Sequence, residues 1–112
     1  MSITRIPGSA EGRCKTVEHN GLVWTVATAQ GTTVAEQTRA ALEQIEANLN
    51  EVGTGKHRIV EAVVYLTDMS SKTEMDEVWC EWIPKDGWPC RACVGTNLAP
   101  GNLVEVKVTA VK

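Results

Sequence analysis

A guanidinium and a carboxylate stand out in the last third of the chain, each set in an apolar run. Arg91 follows Pro89 and opens the stretch Arg91-Ala92-Cys93-Val94, and Glu105 sits between Val104 and Val106, fourteen residues after Arg91. A strand arginine in a partly closed site suits bidentate capture of a carboxylate, because its planar fork matches the two oxygens. A carboxylate with restricted access to water is a candidate general base or water-orienting group. Strand alternation puts Cys93 on the same face as Arg91. The bland alternative is that Arg91 and Glu105 pair with each other or lie on a solvated sheet face, as surface charges usually do. No Gly-rich phosphate loop, H-E-x-x-H or G-x-S-x-G motif occurs, so these residues have to be weighed one by one.

The cysteines offer less. Cys90-Arg91-Ala92-Cys93 has C-x-x-C spacing, but redox pairs of this kind sit at a helix N-terminus that lowers the thiol pKa, and here they open a strand. Cys14, Cys80, His19 and His57 supply no paired spacing for a tetrahedral zinc site, so no metal is expected. Residues 1–15 carry no apolar h-region and no stretch approaches about 18 apolar residues, so neither secretion nor membrane spanning is expected. The thiols are then expected to stay reduced in a cytoplasmic protein.

Eleven Lys and Arg against fourteen Asp and Glu give a net charge of −3, and no basic run interrupts the sequence. A nonspecific grip on nucleic acid is therefore poorly supported. At 112 residues, with 43% hydrophobic composition, the chain suits one domain, 1–112, around one core.

The elements that must position Arg91 and Glu105 follow from periodicity. Cys14 to His19 and Leu22 to Thr28 read as strands joined by Asn20-Gly21, a strong hairpin signal. Thr33 and Glu36 match a capping box, after which Val34, Thr38, Ala41, Leu42, Ile45, Leu49 and Val52 form a helical stripe that Gly53 stops. His57 to Thr67 reads as a strand, and Lys72 to Ile83 as a second helix, with Ser71 and Glu74 as its capping box and Met75, Val78, Trp79, Trp82 and Ile83 facing the core. Pro84 ends that helix, Lys85 to Pro89 turns, and Arg91 to Leu98 and Leu103 to Val111 complete the set, with a further short strand over Ile3 to Ile6. The result is an α+β domain with two helices on one face of a mixed sheet.

Val104, Val106, Val108 and Ala110 then point toward the helices, and Leu103, Glu105, Lys107 and Thr109 away. In the middle strand Ile59, Glu61, Val63 and Tyr65 oppose Val60, Ala62, Val64 and Leu66. The uncovered face is too apolar for comfortable exposure and too polar for a sealed core, which suits a wet subunit interface and a homo-oligomer.

The segment Pro89-Cys90-Arg91-Ala92-Cys93-Val94 followed by Leu103-Val104-Glu105-Val106 resembles the C-terminal signature of the Rid family, the RidA/YjgF imine and enamine deaminases. The resemblance continues upstream through HNGLVWT, EQTRAALEQIEANL and EAVVYLTDMSSKTEMDEVW, covering residues 13 to 112. It implies a chorismate-mutase-like fold, a homotrimer with ligand clefts between subunits, and hydrolysis of 2-imino and enamine acids to 2-keto acids and ammonia without metal or organic cofactor. By the same resemblance Arg91 clamps the substrate carboxylate, the Cys93 backbone contacts the substrate nitrogen or the attacking water without its thiol acting as a nucleophile, and Glu105 orients the water. Thr25 matches a ligand-facing position, but Val26 stands where the family commonly has glycine, which adds bulk and disfavours positive φ. Gly12-Arg13-Cys14 stands where the archetype has a tyrosine, so the chain resembles a divergent subgroup. The alternative reading is a noncatalytic module of the same fold that binds small carboxylates.

Overall fold

In the computed structural model, which describes residues 2–112, the elements follow one another as β1 (Thr4–Pro7), β2 (Cys14–His19), β3 (Leu22–Ala27), α1 (Val34–Glu51), β4 (Ile59–Leu66), α2 (Lys72–Trp82), β5 (Cys90–Gly95) and β6 (Val104–Val111). The order expected from the sequence is observed, with somewhat shorter strands. Residues Lys56–Arg58 form a 3₁₀ turn, so β4 starts at Ile59 rather than His57.

The turn between β2 and β3 holds Asn20 at φ 54° and Gly21 at φ 78°. Those two positive values match the right-handed twist of the strands, and they fix the register that pairs His19 with Leu22 and Thr16 with Thr25. Helix α1 starts as expected: the Thr33 hydroxyl accepts from the Glu36 amide at 3.1 Å. Gly53, at φ 85°, supplies the stop.

The expected capping box of α2 is not formed. Ser71 donates its hydroxyl to the Asp68 carbonyl instead, and Asp68 caps the preceding turn by accepting from the Ser70 amide. Glu74 is drawn away to α1, where its Oε2 accepts from the Ala35 amide at 2.8 Å. That contact satisfies one of the free donors of the α1 N-terminus and ties the two helix starts together.

The sheet order is β1-β2-β3-β6-β4-β5, antiparallel except for the parallel pair β4–β5 that α2 connects. Both helices pack on one face. Leu42, Ile45 and Leu49 of α1 and Met75 of α2 are fully buried against Val23, Val64, Leu66, Val104, Val106 and Val108. The expected division of β6 holds, with Val104, Val106, Val108 and Ala110 buried.

The alternation expected of β4 fails at its start. A register irregularity between Ile59 and Glu61 places Ile59 in the core and leaves Val60 47% exposed. One extra residue in a strand inverts the facing of everything before it, which strict alternation cannot show. Beyond the irregularity, Glu61, Val63 and Tyr65 do lie on the open face, beside Trp24 and Val26 of β3 and Glu105, Lys107 and Thr109 of β6. No helix of the described residues is long and apolar enough to cross a membrane.

Candidate functional site

Arg91 lies on the edge strand β5, and the parallel register that sets it beside Ala62 and Cys93 beside Val64 turns both toward the helices. Its Nη2 donates to Asp76 Oδ1 at 2.6 Å, its Nη1 lies 3.8 Å from Met75 Sδ, and its guanidinium sits 5.2 Å from the centre of the Trp79 ring. Asp76 is shared, since Lys72 Nζ donates to its other oxygen at 2.7 Å. Burial pushes the Asp76 carboxyl up, but the hydrogen bonds and charges of Lys72 and Arg91 together outweigh it, and the net shift is downward. Trp79 is therefore both a core residue, as expected, and the platform on which Arg91 rests.

The Cys93 thiol is pushed up by burial, with Asp76 adding in the same direction and the cations of Arg91 and Lys72 opposing. It stays protonated at neutral pH, which fits a residue whose thiol is not a nucleophile. All four cysteines are free thiols, and among the described residues no group of His, Cys, Asp and Glu is placed to hold a metal ion.

Glu105 faces the other way. It is half-buried opposite Tyr65, on the face that the helices leave open. It lines a groove of about 510 Å³ that reaches round to α1, together with Val26, Thr28, the helix residues Gln44 and Asn48, and the segment around Arg13, Cys14 and Lys15. Arg91 and Glu105 of one chain thus lie on opposite faces of the sheet and do not converge.

Thr25 and Val26 are also split by the pleat. Val26 borders the groove in ordinary strand conformation, since Asn20 is the one non-glycine residue of positive φ among the described residues. Thr25 is buried beneath α1. Its hydroxyl donates to the Lys15 carbonyl at 2.8 Å and accepts from Asn48 Nδ2 at 3.0 Å. With its one proton so used, the 3.0 Å contact to Thr16 requires Thr16 to donate. Gln44 completes the chain by donating to Asn48 Oδ1 at 2.7 Å. Thr25 therefore holds the wall of the groove in place rather than facing into it.

Three supporting residues were not picked out from the sequence. Gln37 is buried with its amide fully used: Nε2 donates to the carbonyls of Gly31 and Gly101, and Oε1 accepts from the Leu103 amide at 2.8 Å. That clamp fixes the loop that delivers Glu105 two residues later. Asn48 does the same for β3, and Asp76 for Arg91. The available signal was the placement of Gln37 and Asn48 four and seven positions from Ala41, on the apolar stripe of α1, where an amide must find internal partners.

A family model described as Endoribonuclease L-PSP matches residues 17–112. A RutC family protein of Haemophilus ducreyi is 35% identical over 96 residues, covering 82% of each chain. The RutC family protein YoaB of Escherichia coli K12 is 31% identical over 112 residues, covering 98% of each. Among solved structures, a member of the YjgF protein family from Neisseria meningitidis superposes with a TM-score of 0.94 at 40% identity, over 100% of this chain and 96% of that one. A member of the same family from Mycobacterium tuberculosis gives 0.90 at 31% identity, over 99% of this chain and 100% of its own.

Proposed function

This chain belongs to the YjgF/RutC family, also known as the Rid family, and from that premise we propose that it hydrolyses reactive 2-imino acids to 2-keto acids and ammonia at clefts between the subunits of a homotrimer. The observation that carries this reading is the position of Glu105, the one carboxylate among the described residues lining a groove of about 510 Å³ bounded by β3, β6 and α1. A groove of that size accommodates a small organic acid with room to spare.

Because Arg91 and Glu105 occupy opposite faces of one sheet, the reading requires Arg91 of one subunit to meet Glu105 of the next. The substrate carboxylate binds the donors of Arg91 that Asp76 does not use; a guanidinium has five, and the 2.6 Å contact to Asp76 uses one. Glu105 orients a water and accepts its proton as the water oxygen bonds to the imine carbon. The C=N π pair takes up that proton from Glu105 at nitrogen, giving a tetrahedral carbinolamine. The nitrogen then takes up the hydroxyl proton, passed through Glu105, as the C–N bond breaks, and ammonia leaves with the keto acid formed. The Cys93 backbone contacts the nitrogen or the water, while Val26 narrows the groove from the side. No metal or organic cofactor enters these steps. The four unbridged thiols suit a cytoplasmic setting.

The Arg91–Asp76 pair favours a second reading, in which the site only holds small carboxylates as a regulatory module, since an arginine already bound to a carboxylate has an internal role without catalysis. Ribonuclease action, which the description of the matching family names, is not favoured: the net charge is −3 and no basic run interrupts the sequence.

An assay on the unmodified protein tests the proposal. An amino acid oxidase generates a small aliphatic 2-imino acid in place, and semicarbazide traps whatever survives. Added protein is expected to lower the trapped fraction as its concentration rises. A trapped fraction independent of protein, with 2-keto acid binding intact, selects the regulatory reading.

A further inference from the structure

Resting on that reading of the groove, we infer that its substrates carry a second carboxylate, held by Arg13. The groove around Glu105 is bordered by two cations, Arg13 just before β2 and Lys15 within it. Lys15 is committed, with Nζ 3.2 Å from Glu51 Oε1. Arg13 is exposed and has neither an ion-pair nor a hydrogen-bond partner among the described residues, although acidic residues outnumber basic ones in the chain. A free guanidinium bordering this groove is placed to attract a carboxylate, and its fork suits one.

The other polar groups of the groove apart from Lys15 and Glu105, among them Ser9, Thr28 and Asn102, carry no charge to match a carboxylate. Gln44 and Asn48 are tied to each other at 2.7 Å, and Asn48 also to Thr25. Glu105 repels an anion near the reacting centre, so a substrate with acidic groups at both ends is favoured only if each end meets a guanidinium. Arg91 supplies one by the reading above, and Arg13 supplies the other. The substrate class is then the imines of acidic amino acids, and the reaction that feeds the site is one that oxidises or eliminates at the α-carbon of such an amino acid.

The matched pair 2-oxoglutarate and 2-oxopentanoate isolates the second carboxylate, since both have five carbons and one 2-keto acid end. Titration calorimetry on the unmodified trimer should show 2-oxoglutarate binding about tenfold more tightly at low salt, the modest size reflecting an exposed arginine. In Arg13→Gln the ratio between the two acids should fall close to one, and added salt should erode the ratio in the unmodified protein. Binding that depends on Arg91 but shows no preference between the acids, or a preference that survives Arg13→Gln, overturns this inference and leaves the site reading standing. Binding of neither acid, or binding indifferent to Arg91→Ala, overturns both.

Discussion

Replacing Arg91 by alanine is expected to weaken 2-keto acid binding strongly and to suppress turnover, while the fold persists at reduced stability. A charge-assisted contact to a carboxylate is worth roughly 1.5–3 kcal/mol, so affinity should fall by about tenfold to a hundredfold or more. The stability cost follows from what else Arg91 touches: the 2.6 Å bond to Asp76 and the seat on the Trp79 ring, with only 18% of the side chain exposed. Losing both should cost about 1–2 kcal/mol, limited because Lys72 still pairs with Asp76. Arg91→Lys separates the two effects. It keeps a cation near Asp76 but cannot reproduce the fork, so unfolding should shift little while binding stays impaired. Calorimetric titration with 2-oxobutanoate and thermal unfolding of both variants are the measurements; unchanged affinity in Arg91→Ala would move the carboxylate site elsewhere.

Glu105→Gln should separate binding from chemistry. The amide preserves the shape of the side chain opposite Tyr65 but cannot accept the proton of an attacking water. Positioned acid-base groups contribute roughly 10²–10⁴-fold, so a loss of turnover of at least about tenfold to a hundredfold is expected at preserved keto-acid affinity. Equal turnover by the variant and the unmodified protein would make Glu105 a structural strand residue. Stability is expected to change little, because Glu105 lies outside the core and has no ion pair among the described residues.

Periodicity carried the element order, the faces of β6 and the Asn20-Gly21 turn, because each depends on near neighbours in the chain. What it could not carry depends on how distant elements meet. Arg91 and Glu105 belong to strands separated in the sheet by β4, and whether they share a face is decided by registers to that middle strand. Thr25 and Asp76 show the same limit. Thr25 is adjacent to Val26 in sequence, and the pleat sends one under α1 and the other to the groove. Asp76 is an unremarkable helix residue until β5 slides beneath α2. Ser71 and Glu74 had the right spacing for a box, yet Glu74 found a stronger role at the start of α1, where unpaired amides face it.

The claim on which the account turns is that the site exists only between subunits. Its most direct measurement co-expresses differently tagged Arg91→Ala and Glu105→Gln chains, purifies trimers that carry both tags, and follows their effect on semicarbazide trapping of an imine. Each variant alone is expected to be nearly inactive. Every trimer that carries both tags has one of its three interfaces joining an intact Arg91 to an intact Glu105, so activity should return to roughly a third of the unmodified level. Mixed trimers that remain as inactive as the separate variants, while the unmodified protein turns the imine over, would contradict a site shared between neighbours.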